Sequence, residues 1–341
     1  MGTFRRIVVA VTALALVASS SSGLSAQQKP AAGKGAKIRI GMTGYFLALA
    51  SASVAFHKGY LKDAGLDGEV VLAPGRQGVL GLMSGELQFR AGSPNDIMLM
   101  AEKGETMMAI VNIETYVDLP LVLRSDVAQR LGVTPRDPIA KRLAALKGLS
   151  LSVTGEGDAG DLALKFMLQE ANLKPTDVRK VVIPNPVATL AAWNQGQIDG
   201  FVGGSPRSVG LESEGKGVIL VEARDIPMLS NIIHEVVYGL KSWIDAHPEE
   251  TRAVAAAMVK ANRFLKEDPS AGTLLNQTDY KAWSAQILQK SVDRLKPYIP
   301  ADGKMTREQW EWTMRYARET GMISKPLDMS EGKYWTNKYL D

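Results

Sequence analysis

The chain has 341 residues, 45% of them hydrophobic and 22% charged. Those values exclude wholesale disorder, collagen-like repeats and a polytopic membrane protein, and at about 100–200 residues per domain the length points to two domains. The 40 Lys plus Arg against 36 Asp plus Glu leave +4, thin grounds for nucleic-acid binding, and the absence of Cys removes thiol nucleophiles, disulfides, thiolate zinc sites and iron–sulfur clusters.

Residues 1–26 read as a secretory signal peptide: Arg5 and Arg6, an apolar run over 7–18, then small residues ending in Leu24-Ser25-Ala26. The run is too short for a membrane span, which needs about 20 residues. An uncleaved interfacial anchor is the alternative. No Cys follows the run, so a lipoprotein is excluded and a soluble periplasmic product is expected. Residues 27–36 read as a loose leader.

From Lys37 short apolar runs alternate with amphipathic stretches. Strands are expected at 37–42, 69–72, 87–91 and 107–111, and helices at 49–61, 78–84 and 95–102. The pattern restarts after Lys147-Gly148, with strands at 149–153, 178–183, 198–202 and 218–221 and helices at 158–171 and 187–194. Alternation of this kind indicates α/β lobes built on parallel sheets. Helical spacing then runs through 249–266, 279–292 and 307–320.

The two halves echo each other. Ser84-Gly85-Glu86-Leu87-Gln88-Phe89-Arg90-Ala91-Gly92-Ser93-Pro94 is answered by Gln195-Gly196-Gln197-Ile198-Asp199-Gly200-Phe201-Val202-Gly203-Gly204-Ser205-Pro206. Each copy stops a helix with Gly, lays a short strand and opens the next helix at Gly-Ser-Pro, with Ser93 and Ser205 as candidate caps. In open α/β sheets ligands bind outside the carboxyl ends of the strands, where helix amino termini gather. Two such edges make a cleft. The chain is expected to cross between lobes near 119–124 and 232–240, giving lobe 1 at 37–120 with 241–341 returning to it and lobe 2 at 121–240.

Most motif tests fail. Gly155-Glu156-Gly157-Asp158-Ala159-Gly160 matches the dinucleotide fingerprint, but the second strand ends in Ile183-Pro184-Asn185 without the ribose-binding acid, and Glu156 and Asp158 repel a pyrophosphate. What survives is a glycine-rich turn, either part of a small-ligand site or a plain turn capped by Asp158. His234-Glu235-Val236-Val237-Tyr238 lacks the second His of a zinc-protease motif, and His57 and His247 read as structural. No Gly-x-Ser-x-Gly elbow and no phosphate loop occur, so no enzyme activity, cofactor or metal is expected.

Residues near strand ends are the candidates for recognising a solute: Tyr45, Phe46, Arg76, Gln77, Asn95, Asn185 and Tyr116. Arg76 is either a bidentate holder of a carboxylate or sulfonate or a solvated loop charge. Arg207 is expected at the surface, Trp193 in the core, and Met98, Met100, Met107 and Met108 in packing roles.

With those residues in view, the chain resembles the substrate-binding proteins of ABC importers, in the nitrate/sulfonate/taurine branch with its thiamine-precursor relatives. The carriers are Lys37-Ile38-Arg39-Ile40-Gly41, His57-Lys58-Gly59-Tyr60-Leu61-Lys62-Asp63-Ala64-Gly65-Leu66, Ser84-Gly85-Glu86-Leu87, Leu146-Lys147-Gly148, Ala171-Asn172-Leu173 with Asp177-Val178, and Gly196-Gln197-Ile198-Asp199-Gly200. The resemblance spans about 37–240 and implies a two-lobed, type II-like fold with two hinge strands and a helical carboxyl-terminal segment. It also implies a small-molecule solute, a membrane permease as partner, and a monomer. Ligand groups are implied at Tyr45, Arg76, Ser93, Asn95, Gly155, Glu156, Gly157, Asp158 and Ser205. The family usually has Asp where Gln88 stands and a Trp-Glu-Pro-like stretch where Gly204-Ser205-Pro206 stands, so ligand identity does not carry over. The resulting expectation is a periplasmic binding protein for a small organic anion, with an uncharged pyrimidine or vitamin precursor as the alternative. A pyrimidine-forming enzyme of thiamine synthesis is disfavoured because its cysteine-rich motif cannot exist here. A transcription-regulator effector domain is disfavoured because a signal peptide stands where its DNA-binding helices belong.

Overall fold

The computed structural model describes residues 35–340, so the expected signal peptide lies outside the described residues. In chain order the elements are β1 (Ala36–Met42), α1 (Ala50–His57), α2 (Tyr60–Asp63), β2 (Leu66–Leu72), α3 (Arg76–Met83), β3 (Phe89–Gly92), α4 (Asn95–Glu102), β4 (Met107–Glu114) and β5 (Leu121–Arg124). There follow α5 (Ser125–Leu131), α6 (Ile139–Ala144), β6 (Ser150–Val153), α7 (Ala159–Glu170), β7 (Arg179–Val182), α8 (Pro186–Asn194), β8 (Gly200–Val202), α9 (Arg207–Ser213) and β9 (Gly217–Val221). The chain ends with β10 (Glu235–Leu240), α10 (Lys241–Ala246), α11 (Pro248–Glu267), α12 (Ala271–Gln277), α13 (Ala285–Leu295) and α14 (Arg307–Glu319).

Two five-stranded sheets result, in the orders β2-β1-β3-β10-β4 and β7-β6-β8-β5-β9. Both are mixed rather than parallel. In the first sheet β10 runs antiparallel to β3 and β4, and in the second β5 runs antiparallel to β8 and β9. These two reversed strands lie in the stretches expected to be crossings. The apolar residues there are apolar because they sit inside sheets, with Leu121, Val122, Leu123, Val236 and Val237 all buried. Glu235–Leu240 therefore belongs to the first sheet and not to the end of the second lobe. The true crossings are residues 115–120 and 222–234.

Burial varies between the edge strands of the two sheets, and their sequences follow it. Every residue of β4 is buried, whereas the edge strand β7 begins with Arg179 and Lys180, both exposed. The single helix expected over 49–61 is broken at Gly59, which takes φ +72°, a conformation that side chains with a Cβ resist. The helix expected from Asp279 instead starts at Ala285, where the Ser284 hydroxyl accepts the Ile287 N–H at 3.2 Å.

The carboxyl-terminal helices mostly cover the first sheet. On α11, the fully buried Asn262 donates Nδ2 to the Asn112 carbonyl at 3.0 Å and to the Pro300 carbonyl at 2.8 Å, and accepts the Ser51 hydroxyl at 2.7 Å. Some of these residues reach the second lobe: Lys290 of α13 donates to the Ser213 hydroxyl at 3.3 Å, and Tyr316 of α14 lies 5.7 Å from the Phe166 ring.

Candidate functional site

Topology fixes which edges of the sheets meet. Residues 115–120 leave the carboxyl end of β4 and enter the amino end of β5, which, because β5 is reversed, lies at the carboxyl edge of the second sheet. Residues 222–234 leave the carboxyl end of β9 and enter β10, whose amino end lies at the carboxyl edge of the first sheet. Both crossings thus run from carboxyl edge to carboxyl edge. At about 3.3–3.6 Å per residue the shorter one spans at most about 20 Å.

The crossings are tied to each other. Tyr116, 2% exposed, donates its hydroxyl to Glu222 Oε2 at 2.6 Å and stacks on Tyr298 with centroids 4.3 Å apart. Arg294 donates to the same Glu222 oxygen and lies 3.8 Å from Asp118. Asp118 in turn accepts the Ser205 N–H at 2.7 Å. Gly204 is required at this point, since a Cβ would stand 2.1 Å from the Asp118 carbonyl oxygen. Burial first, then the neighbouring Glu222, pushes the Tyr116 phenol far above its ordinary range. Among the sequence candidates, Tyr116 is therefore a strut of the crossing, with its hydroxyl engaged.

On the first lobe's edge, Tyr45 and Phe46 follow β1 and are 46% and 59% exposed. Tyr280 fixes them, donating its hydroxyl to the Phe46 carbonyl at 2.9 Å and meeting the Tyr45 ring edge-on at 6.2 Å. Arg76 and Gln77 open α3 and are exposed; Arg76 makes no ion pair or hydrogen bond with the described residues. Ser93 and Asn95 are half-buried at the start of α4. Neither expected serine is the N-cap, because Pro94 and Pro206 occupy those positions. The Ser93 hydroxyl accepts the Asn95 N–H at 3.3 Å, and the buried Ser205 hydroxyl has no partner among the described residues.

Beneath this edge lies a polar cluster that the sequence did not disclose. Arg90 on β3, 3% exposed, donates to the Gly75 carbonyl at 2.8 Å and the Thr43 hydroxyl at 3.2 Å, and stands 3.4 Å from Asp96. Tyr238 donates to Asp96 at 2.6 Å. Gly78 allows the guanidinium in, since a Cβ there would lie 2.4 Å from its Nη1. Next to it His234 Nδ1 pairs with Glu114 at 2.7 Å, and its Nε2 lies 3.8 Å from Glu235. Burial works to lower the His234 pKa, but the Glu114 hydrogen bond and the Glu235 charge outweigh it, and the pKa rises to about 9. Burial pushes Glu114 up and Glu235 up to about 7. The sequence signals for this cluster are a charged residue inside a short apolar strand, Phe89-Arg90-Ala91, and the His234-Glu235 pair that fails as a zinc-protease motif.

The second lobe's edge is built differently. Asp158 caps α7, accepting the Asp161 N–H at 2.8 Å and the Thr154 hydroxyl. Asp161 accepts the Gly157 N–H at 2.8 Å, and Lys180 bridges Glu156 and Asp161 at 2.7 and 2.9 Å. Gly155 crowds this cap, its Cβ position lying 3.3 Å from Asp158 Oδ2. Asn185 caps α8, its Oδ1 accepting the N–H groups of Val187 at 2.8 Å and Ala188 at 3.4 Å. Arg207 is not the surface charge expected. It is half-buried with its guanidinium 4.3 Å over the Phe201 ring, and burial lowers its pKa to about 10.

A family model described as the NMT1-like family matches residues 31–276. The chain belongs to the NMT1-like family. Two curated relatives of this NMT1-like chain are the taurine-binding periplasmic protein of Escherichia coli (strain K12), 28% identical over 135 residues, and the nitrate import ATP-binding protein NrtC of Synechococcus elongatus, 26% identical over 190 residues. The matches cover 40% and 54% of this chain but only 38% and 27% of those relatives. Among solved structures, the periplasmic aliphatic sulphonate binding protein SsuA from Escherichia coli superposes with a TM-score of 0.69 at 17% identity, covering 89% of this chain and 99% of that one. The desulfurization enzyme DSZB superposes with a TM-score of 0.61 at 15% identity, covering 86% and 95%. These likenesses show the fold, and a binding protein and an enzyme share it.

Proposed function

We propose that this NMT1-like protein is the solute-binding component of an ABC importer, a monomer acting in the periplasm without turnover and delivering a small organic anion to a membrane permease. The observation that carries this reading is the course of the two crossings, each joining carboxyl edge to carboxyl edge, which makes one cleft from two ligand-binding edges. The names of the taurine-binding and sulphonate-binding relatives support it. Among the described residues no helix is long and apolar enough to cross a membrane.

In this reading Tyr45, Phe46, Arg76, Gln77, Ser93 and Asn95 receive the solute on the first lobe. The turn Gly155-Glu156-Gly157-Asp158 with Asn185 and Ser205 closes from the second. Arg76 supplies the fixed cation, since it is exposed at the start of α3 without a counter-ion among the described residues. A thermal-shift screen of sulfonates and carboxylates of graded length tests the proposal, because a ligand bound only by the folded state raises the melting temperature. A panel in which no anion shifts the transition, while an uncharged pyrimidine does, overturns the anion assignment.

A further inference from the structure

We propose that the second lobe carries an anion site of its own, outside the cleft, in which Arg207 holds a small monovalent oxyanion of the size of formate or acetate. A cavity of ≈ 140 Å³ opens between α8 and α9. The half-buried Arg207 and the buried Gly210 and Leu211 form its inner end, and the exposed Asn194, Glu214 and Lys216 form its mouth. Asn194 ends α8 shortly before β8 begins, and Glu214 and Lys216 lie between α9 and β9. Because β8 and β9 are parallel, the mouth stands at the amino edge of the second sheet, opposite the cleft.

Arg207 brings to this cavity a charge that no described residue answers. Its guanidinium lies 4.3 Å over the Phe201 ring, and Gly203 makes room for it, since a Cβ there would stand 2.1 Å from Nη2. The ring takes one face of the guanidinium and leaves its N–H donors, which lie in the plane. No described carboxylate pairs with Arg207, and its buried Nη1 has no hydrogen-bond partner among the described residues. Burial alone acts on its pKa, lowering it to about 10, so the group stays charged at neutral pH. A desolvated guanidinium without a counter-ion is costly, and it cannot escape by shedding its proton. Glu214 does not serve, being paired with Lys216 at 2.7 Å in the exposed mouth. That pair is neutral, so one positive charge remains and a monovalent anion matches it better than sulfate does. At about 30 Å³ for each water-sized group, the cavity holds about four or five of them, which admits acetate and excludes a long chain. Two oxygens on one carbon fit the guanidinium fork. Asn194 and Trp283 line the same cavity, and their side-chain N–H groups make no hydrogen bond with described residues.

Trp283 also supplies the reporter, because it packs on Gly210, whose Cβ position lies 3.1 Å from the indole. The test is an NMR titration of the full mature chain that follows the indole N–H signals of its six tryptophans, with Trp283 assigned by Trp283→Phe. Formate and acetate, exchanged for chloride at constant ionic strength, should move the Trp283 signal saturably with a half-effect at about 1–10 mM. Hexanoate and sulfate should need at least about tenfold more. Arg207→Met should abolish the response, and Arg207→Lys should weaken it by about tenfold, since an ammonium lacks the planar fork. Arg76→Ala, at the cleft, should leave it intact. In that Arg76→Ala background acetate should still raise the melting temperature, and adding Arg207→Lys should remove the rise, which reads the site even if Arg207→Met folds poorly. An Arg207 that only packs on Phe201 gives no acetate response, and that result overturns the site while leaving the cleft reading untouched. A response undiminished in Arg207→Lys overturns it too, as does one lost in Arg76→Ala, which would put the anion in the cleft. A stronger response to sulfate overturns the assigned class.

Discussion

The His234–Glu114 pair makes stability depend on pH with a sign that follows from the geometry. Burial alone would lower the His234 pKa, but the 2.7 Å bond to Glu114 and the charge of Glu235 raise it to about 9, against 6.5 for the ordinary side chain. Between those values the folded chain holds a proton that the unfolded chain has lost. The stabilising contribution is therefore fully present below pH 6.5 and disappears as pH rises through 9. A shift of that size corresponds to about 3 kcal/mol at about 1.4 kcal/mol per unit. Glu235, raised to about 7 by burial, works in the same direction over the lower window, from 4.5 to 7. We predict that urea unfolding at pH 6, 7.5 and 9 shows a midpoint falling by about 1 M or more, for a slope of about 3 kcal/mol per M. His234→Gln keeps one donor but no charge, so it should be less stable at pH 6 and lose by pH 9 only the smaller part that Glu235 contributes. If the variant and the unaltered protein decline in parallel, the proton does not reside on His234 and the argument fails.

Three further outcomes are expected. Arg76→Ala should weaken anion binding by about ten- to hundredfold in calorimetry and Arg76→Lys should recover part of it, whereas Arg207→Ala, which removes only the guanidinium over Phe201, should leave affinity unchanged. Asn262→Ala leaves the Ser51 hydroxyl and the Asn112 and Pro300 carbonyls short of a partner, and should lower unfolding free energy by about 2–4 kcal/mol in urea titration. Gly204→Ala forces a Cβ to 2.1 Å from the Asp118 carbonyl, so the crossing must move; a stability loss of about 1–3 kcal/mol by thermal melting and a smaller ligand-induced drop in radius of gyration should result.

The twin grammar of the lobes was legible because its rules are local. Gly85 and Gly196 do end helices at φ +77° and +68°, and each is followed by a short strand and a helix. Strand direction is not local. The runs that became β5 and β10 are extended and apolar whether they cross between lobes or lie reversed inside a sheet, and only their partners decide. The same limit hid the charged cluster. Arg76, in a Pro-Gly loop, looks available and is exposed, whereas Arg90 looks like a strand interruption. Only the folded chain brings Gly75, Thr43 and Asp96 around Arg90, or sets Glu114 against a histidine 120 residues later. Ser93 and Ser205 are not the caps for a related reason: the prolines that follow them hold both N-cap positions, so each helix starts one residue later.

The two edges differ in what they leave open, and this predicts an order of engagement. On the second lobe Asp158 and Asn185 cap α7 and α8 with their own side chains, Asp161 holds the Gly157 amide, and Asp118 holds that of Ser205. Those donors are already matched, and Glu156, Asp158 and Asp161 stand at this turn, with Lys180 paired to the first and the last of them. On the first lobe Ser93 already takes the Asn95 and Asp96 N–H groups of α4, but the N-cap Gly75 offers no side-chain acceptor to α3, which Arg76 itself opens. Backbone donors at a helix amino terminus next to a free guanidinium favour an anion, and donors already bonded to carboxylates do not. An anionic solute should therefore dock on the first lobe, with the second closing over it as a wall. Amide hydrogen exchange reads this directly. Saturation with the anion from the thermal-shift screen should add protection at residues 75–78 and little at 157–161, whose Gly157 and Asp161 amides are bonded beforehand. Equal or greater protection at 157–161 would mean that the anion displaces Asp161 or Asp158 from its own helix, and the first lobe would lose its claim to hold the charge.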